Sequence, residues 1–224
     1  MKLFELALSD LRLNREEIYR NLGYGGQTPE IEFVEMIDQI MEQVGGLCVP
    51  LAGFRIDEGS MPDKNHVEIN SIRIKTGSTI NKYLEGSTHF AVFIVTAGAA
   101  FDGYLEKLRA DGDVVTEFLA YSVGSEIAEA TVRFITEQIV EEASSLGLHA
   151  SHSYSPGYCS WHVREQENLF KLFPEKPCGV TLNASNLMHP VKSVSGLIGL
   201  GKDNIFTPHA CEICGMTSCF KRKI

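Results

Sequence analysis

The chain has 224 residues, 44% hydrophobic and 22% charged, which supplies enough apolar material for a buried core. Its net charge of -9 argues against sequence-independent binding to DNA or RNA, which needs clustered Lys and Arg. No apolar run reaches the ~18 residues that would span a bilayer.

The N-terminal stretch has a short apolar run interrupted by Glu5 and closed by Asp10. That is not a signal-peptide layout, so a cytoplasmic location is the expectation. The first predicted helix is capped by Asn14, with Glu17 three residues on as its capping-box partner. It runs to Leu22 and stops at Gly23. A second helix is expected with Thr28 as cap, Pro29 in its first turn and Gly45 after its end. Phe33, Met36, Ile37, Ile40, Met41 and Val44 fall on one of its faces. Residues 47–56 read as a strand. So do residues 66–74, where Val67, Ile69 and Ile72 alternate with polar positions and the register shifts near Ser71. Residues 90–96 are continuously apolar and predict a buried strand.

Helices are expected over residues 101–109 and 114–146, separated by a break at Asp111-Gly-Asp113 and ended by Gly147. A Ser155-Pro-Gly-Tyr158 turn follows, then a helix over residues 163–173 and strands near Val180 and Val194. Pro at the second position and Gly at the third mark a type II turn. Strands and helices do not alternate regularly. The predicted class is therefore α+β, a single domain over residues 1–224 with a largely antiparallel twisted sheet and flanking helices. Residues 205–224 form a Cys-rich tail.

That tail carries Cys211, Cys214 and Cys219 in a C-x2-C-x4-C spacing. In a chain without secretory features, such a knuckle favours zinc or an iron–sulfur cluster over a disulfide. A fourth ligand would come from His209, Cys178, Cys159 or Cys48. The basic run Lys221, Arg222 and Lys223 reads as a solvated tail.

Two segments then stand out together. One is the Ser155-Pro-Gly-Tyr158 turn. The other holds Leu182-Asn-Ala-Ser185, Met188-His-Pro190 and Ser193-Val-Ser-Gly196. With Ala128-Glu-Ala130 on the long helix upstream, this order resembles the activation domain of cobalamin-dependent methionine synthase. The resemblance covers residues 114–201 best and implies a stand-alone relative of that domain. It implies a site for S-adenosylmethionine framed by Glu129, Ser153, Ser155, Pro156, Gly157, Tyr158, Ser193, Ser195 and Gly196. Glu129 would meet the amino group, and Tyr158 is the candidate catalytic residue. Gly157 would let backbone approach the ligand closely.

The synthase form carries Arg where this chain has Ser153. Losing one charged hydrogen bond there would cost about 1.5–3 kcal/mol, unless His152, His162, Arg164 or Lys192 takes over the charge.

The function so implied is reductive reactivation of a corrinoid methyltransferase, with S-adenosylmethionine as methyl donor to cobalt. The partners would be a cobalamin-binding domain and a flavodoxin-like electron donor. Such a protein performs little bond chemistry of its own and works by positioning. Two other readings stay open: a non-catalytic docking protein for a corrinoid enzyme, and a small redox metalloprotein using the C-terminal cysteines.

Overall fold

A computed structural model describes residues 1–25, 27–159 and 161–204. Its centre is strand β5 (His89–Thr96), flanked by β2 (Leu51–Asp63) and β9 (Ser193–Gly201). Beyond β9 lies β6 (His149–Tyr154) at one edge of the sheet. Beyond β2 lie β3 (His66–Ile69) and β4 (Ile72–Lys75), and β1 (Lys2–Glu5) pairs with the first residues of β2. Every pairing in this sheet is antiparallel, as expected of the predicted class.

The continuous apolar run of β5 has a direct cause. Ala91, Phe93 and Val95 face one core, and Phe90, Val92 and Ile94 face another. A strand covered on both faces has no polar side, so the sequence shows no alternation. The first core is built by α1 (Arg15–Asn21), α2 (Ile31–Gly45), α4 (Ala99–Ala110) and α5 (Val114–Ser145). The second is covered by α3 (Ser78–Leu84), α6 (Gln166–Phe170) and the loops around them. At 32 residues, α5 is ~48 Å long, and its buried stripe lies against the sheet. Among the described residues no helix is long and apolar enough to cross a membrane.

Several boundaries differ from the sequence reading. The 66–74 segment is two strands, not one. Asn70 and Ser71 both take positive φ, at 49° and 64°, and make the two-residue turn that twists a hairpin correctly. Residues 163–173 are a short 3-10 turn at Val163–Glu165 followed by α6, not one helix. The cap of α2 is Glu30, not Thr28. Residues 181–182 and 188–189 form a small separate hairpin, β7 (Thr181–Leu182) with β8 (Met188–His189). Asn183 closes it by accepting the backbone N–H groups of Ser185 and Leu187.

Asn14 caps α1 as expected and accepts the Glu16 N–H at 2.9 Å. Its own N–H, however, donates to Glu126 of α5 at 2.7 Å, not to Glu17, which pairs with Arg20. Glu126 is 1% exposed and also accepts from Arg133 at 2.5 Å. Burial raises its pKa above the ordinary carboxylate value, with the two hydrogen bonds opposing the shift. A folded-state pKa above the unfolded one means that folding favours the protonated acid. That stabilisation is complete below the unfolded value near 4.5 and is lost as pH rises through the folded value. Relative to a Glu126→Gln variant, the wild type should therefore lose stability as pH rises above about 4.5. Urea midpoints of both proteins at stepped pH check this, and parallel curves would contradict the raised pKa.

Candidate functional site

The site is built at the edge of the sheet, where β6 ends. In the ladder Ser153 lies opposite Ile198 and Tyr154 opposite Leu197. The chain then leaves the sheet through Ser155-Pro-Gly-Tyr158. Tyr158 N–H donates to Ser155 O at 3.3 Å, and Gly157 has φ of +99°, as the third position of a type II turn requires. The loop is locked further by Gly157 N–H to Trp161 O at 2.7 Å and Trp161 N–H to Tyr158 O at 2.8 Å. Trp161 is buried in the second core, whereas Tyr158 is 59% exposed. The indole thus anchors a turn that presents the Tyr158 ring to solvent.

The strand beside this turn is β9. Val194, Ile198 and Leu200 belong to the core under α5, and Leu197 to the opposite core. By alternation Gly196 also faces α5. A side chain there has no room. A Cβ would sit well inside contact distance of the Tyr154 carbonyl oxygen and 2.8 Å from the Phe93 ring. Gly196 is the residue that lets β6 approach β9 this closely.

Ser193 and Ser195 do structural work. Ser193 Oγ donates to Pro190 O at 2.7 Å and lies 2.9 Å from Thr96 Oγ1. Ser195, 1% exposed, donates to Gln166 Oε1 of α6 at 2.5 Å. Both hydroxyls tie β9 to its neighbours.

The third contributor is α5. Tyr121, Ser125 and Glu129 are four residues apart, so they share one helix face. Lys192, immediately before β9, reaches this face. Its Nζ is 2.8 Å from Ser125 Oγ and 3.0 Å from the centroid of the Tyr121 ring. Glu129 is the next residue along the stripe and is half-buried. Its neighbours Ala128 and Ala130 are 3% and 2% exposed, because both pack inward. The segment before β9 is also held by Asp102 of α4, whose Oδ2 accepts Val191 N–H at 2.8 Å and lies 3.3 Å from His189 Nδ1.

The matched residues therefore come from three elements that meet at one edge: the end of β6, the start of β9 and the middle of α5. Two concave surfaces lie elsewhere. One of about 430 Å³ is lined by Leu22, Tyr24, Phe33, Val115 and Phe118. The other, of about 520 Å³, lies beside the end of α5 and includes Val140, Leu148 and His149. None of the matched residues lines either surface.

Cys211, Cys214, Cys219 and His209 lie outside the described residues. Of the other candidate ligands, Cys48 and Cys178 are pushed up to about 11 by burial, so both remain thiols near neutral pH. Among the described residues no group of three or more His, Cys, Asp or Glu is arranged to hold a metal ion.

Comparison with known proteins decides the family. The family model described as vitamin B12 dependent methionine synthase, activation domain, matches residues 80–206, more than half of the chain. The chain belongs to this family. The matched span contains Glu129, the Ser155-Pro-Gly-Tyr158 turn and Gly196. Among solved structures, the MetH reactivation domain bound to AdoHcy superposes with a TM-score of 0.71 at 17% identity. The match covers 92% of this chain and 80% of that one. The two share a fold. No curated protein sequence matches.

Sequence reasoning missed the residues that hold this methionine synthase activation domain fold around its edge. Gln166 and Asp102 act through contacts far apart in sequence, and Trp161 anchors the turn just before it from the second core. One signal was available: the only Trp of the chain follows the turn directly, and a lone Trp next to a Pro-Gly turn suits an anchor.

Proposed function

We propose that this chain binds S-adenosylmethionine at the β6–β9–α5 edge and serves in reductive reactivation of a cobalamin-dependent methyltransferase. The observation that supports this most is that the end of β6, from which the Ser155-Pro-Gly-Tyr158 turn leaves, lies against Gly196 of β9, while Lys192 just before β9 reaches the Tyr121–Ser125 face of α5, one helical turn from Glu129, all within the span that the family matches. In this reading, bound S-adenosylmethionine supplies a methyl group whose sulfonium leaves as a neutral thioether. The protein's part is geometric. Tyr158 offers a ring and a hydroxyl, Pro156 and Gly157 shape the backbone against the ligand, and Glu129 receives the amino group. Ser153 and Ser155 border the site without charge. The partner is a cobalamin-binding domain, and a flavodoxin-like protein delivers the electron.

Isothermal titration of the purified protein with S-adenosylmethionine is the test. Wild type should bind in the micromolar range, about -8 kcal/mol. Glu129→Gln should weaken binding by about 1.5–3 kcal/mol, the usual cost of one charge-assisted hydrogen bond. Tyr158→Ala should weaken it by at least tenfold. A wild-type protein that shows no binding at about millimolar ligand, near -4 kcal/mol, would overturn the reading. Adding the protein in trans to an oxidised corrinoid methyltransferase, with ligand and electron donor, then tests reactivation itself.

A further inference from the structure

We propose that Asp102 of α4 is a positioning residue for the β6–β9–α5 edge: it fixes the segment 189–193, and through the entry of β9 it sets the affinity for S-adenosylmethionine. It acts through its neighbours at the proposed S-adenosylmethionine site, on which the assignment rests.

Residues 190–192 join β8 to β9 and belong to neither ladder, so their shape comes from other bonds. The end of β5 supplies two of them. Ala97 N–H donates to Lys192 O at 2.8 Å, and Thr96 Oγ1 lies 2.9 Å from Ser193 Oγ. Asp102, in the first turn of α4, supplies the rest with one oxygen. Its Oδ2 accepts Val191 N–H at 2.8 Å and lies 3.3 Å from His189 Nδ1. A hydrogen bond to a carboxylate is roughly twice as strong as a neutral one. Asp102 is only 7% exposed, and its Oδ1 is buried with no hydrogen-bond partner among the described residues. An idle buried carboxylate oxygen costs stability. Stability alone therefore does not account for an acid at this position, whereas holding 189–193 in one shape does.

That shape reaches the site on two sides. Ser193 opens β9 three residues before Gly196, where β6 packs against the strand. The Lys192 side chain crosses to Ser125 and Tyr121 of α5. A displacement of Val191 would move both connections together. Groups fixed before a ligand arrives lose little freedom on binding, and a shift of about 1 Å in a positioning element is enough to spoil a site.

Titration with S-adenosylmethionine of wild type, Asp102→Ala, Asp102→Asn and Leu105→Ala tests this. Leu105 lies on the same helix and is 5% exposed in the first core. Its truncation loosens α4 but removes no hydrogen bond to residues 189–193. Asp102→Ala should bind at least tenfold more weakly than wild type, and its Val191 amide should exchange with solvent at least tenfold faster. Asp102→Asn, which keeps an oxygen for Val191 N–H, should recover affinity to within threefold of wild type. Leu105→Ala should bind as wild type does. If Asp102→Ala does not fold, His189→Ala, at a side chain 64% exposed, should lower affinity at least threefold. Wild-type affinity in the folded Asp102→Ala or its His189→Ala substitute, no recovery in Asp102→Asn, or an equal loss in Leu105→Ala overturns the assignment and leaves the site itself standing. Absence of binding by wild type overturns both.

Discussion

A Trp161→Ala variant should lose about 3–5 kcal/mol of stability, the cost of removing a large buried aromatic. Trp161 is 1% exposed and is among the largest fully buried side chains of the protein. It packs in the core with Tyr154, Leu169, Leu172, Val180 and Leu197. Folded domains are stable by only about 5–15 kcal/mol, so the loss is a large fraction of the whole. The indole N–H is buried without a hydrogen-bond partner among the described residues, and an unsatisfied buried donor costs about 1–3 kcal/mol. Trp161→Phe removes that donor along with part of the ring, so the two effects oppose each other. Its loss should stay below about 1.5 kcal/mol. Urea midpoints at constant m-value measure both variants. Equal losses in the two would show that the indole N–H is paired after all. Because the buried indole anchors the loop whose backbone bonds to Gly157 and Tyr158 shape the turn, Trp161→Ala should also blunt ligand binding.

Gly196→Ala is expected to be nearly as damaging. Replacing glycine usually stabilises by about 0.4–1 kcal/mol through the unfolded chain. Here the added methyl meets a backbone carbonyl, that of Tyr154, which the ladder to Leu197 holds in place. On its other side is the ring of Phe93, fully buried. Neither neighbour is a flexible side-chain tip, so strain should win by about 2–3 kcal/mol. Gly103 is the control. It is exposed in α4 and has nothing within 4 Å of an added Cβ. Gly103→Ala should stabilise by about 0.5–1 kcal/mol through helix propensity. Thermal or urea denaturation of the pair should therefore give opposite signs, and a neutral Gly196→Ala would mean that β6 can move away from β9.

Elements whose cause is local were legible in the sequence. Asn14 caps α1 because its side chain reaches a donor two residues away, and the apolar run of β5 announces burial on both faces. The hairpin at Asn70 and Ser71 was misread as a shift of register within one strand, because that shift was the only local trace of a reversal that the positive φ of both residues makes. Helix α3 was not recognised: its buried face is short, with Ile80, Asn81 and Leu84. Strand β1 is mostly exposed and is defined by pairing with β2, which no local pattern encodes. At the site, the turn and the glycine strand were readable as motifs. Lys192 was readable only as one of several candidate cations, because its value comes from Tyr121 and Ser125, some seventy residues upstream. Glu126, offered by no motif, replaced Glu17 as the partner of Asn14 for the same reason.

The two-sided burial of β5 has a consequence for how the protein opens. Alternate residues of one strand belong to different cores, so neither core can come apart while the other keeps β5 in its ladder. Local fraying is thereby confined to the margins, such as β1 and the β7–β8 hairpin, which β5 does not touch. The amide protons of β5 should exchange with solvent only when the entire chain unfolds, and those of β2 and β9 beside it at close to the same free energy. The turn that presents Tyr158 hangs on β6, one strand removed from that slow-exchanging centre. It is joined to that centre twice, through the ladder of β6 with β9 and through Trp161, which shares the second core with Phe90, Val92 and Ile94 of β5.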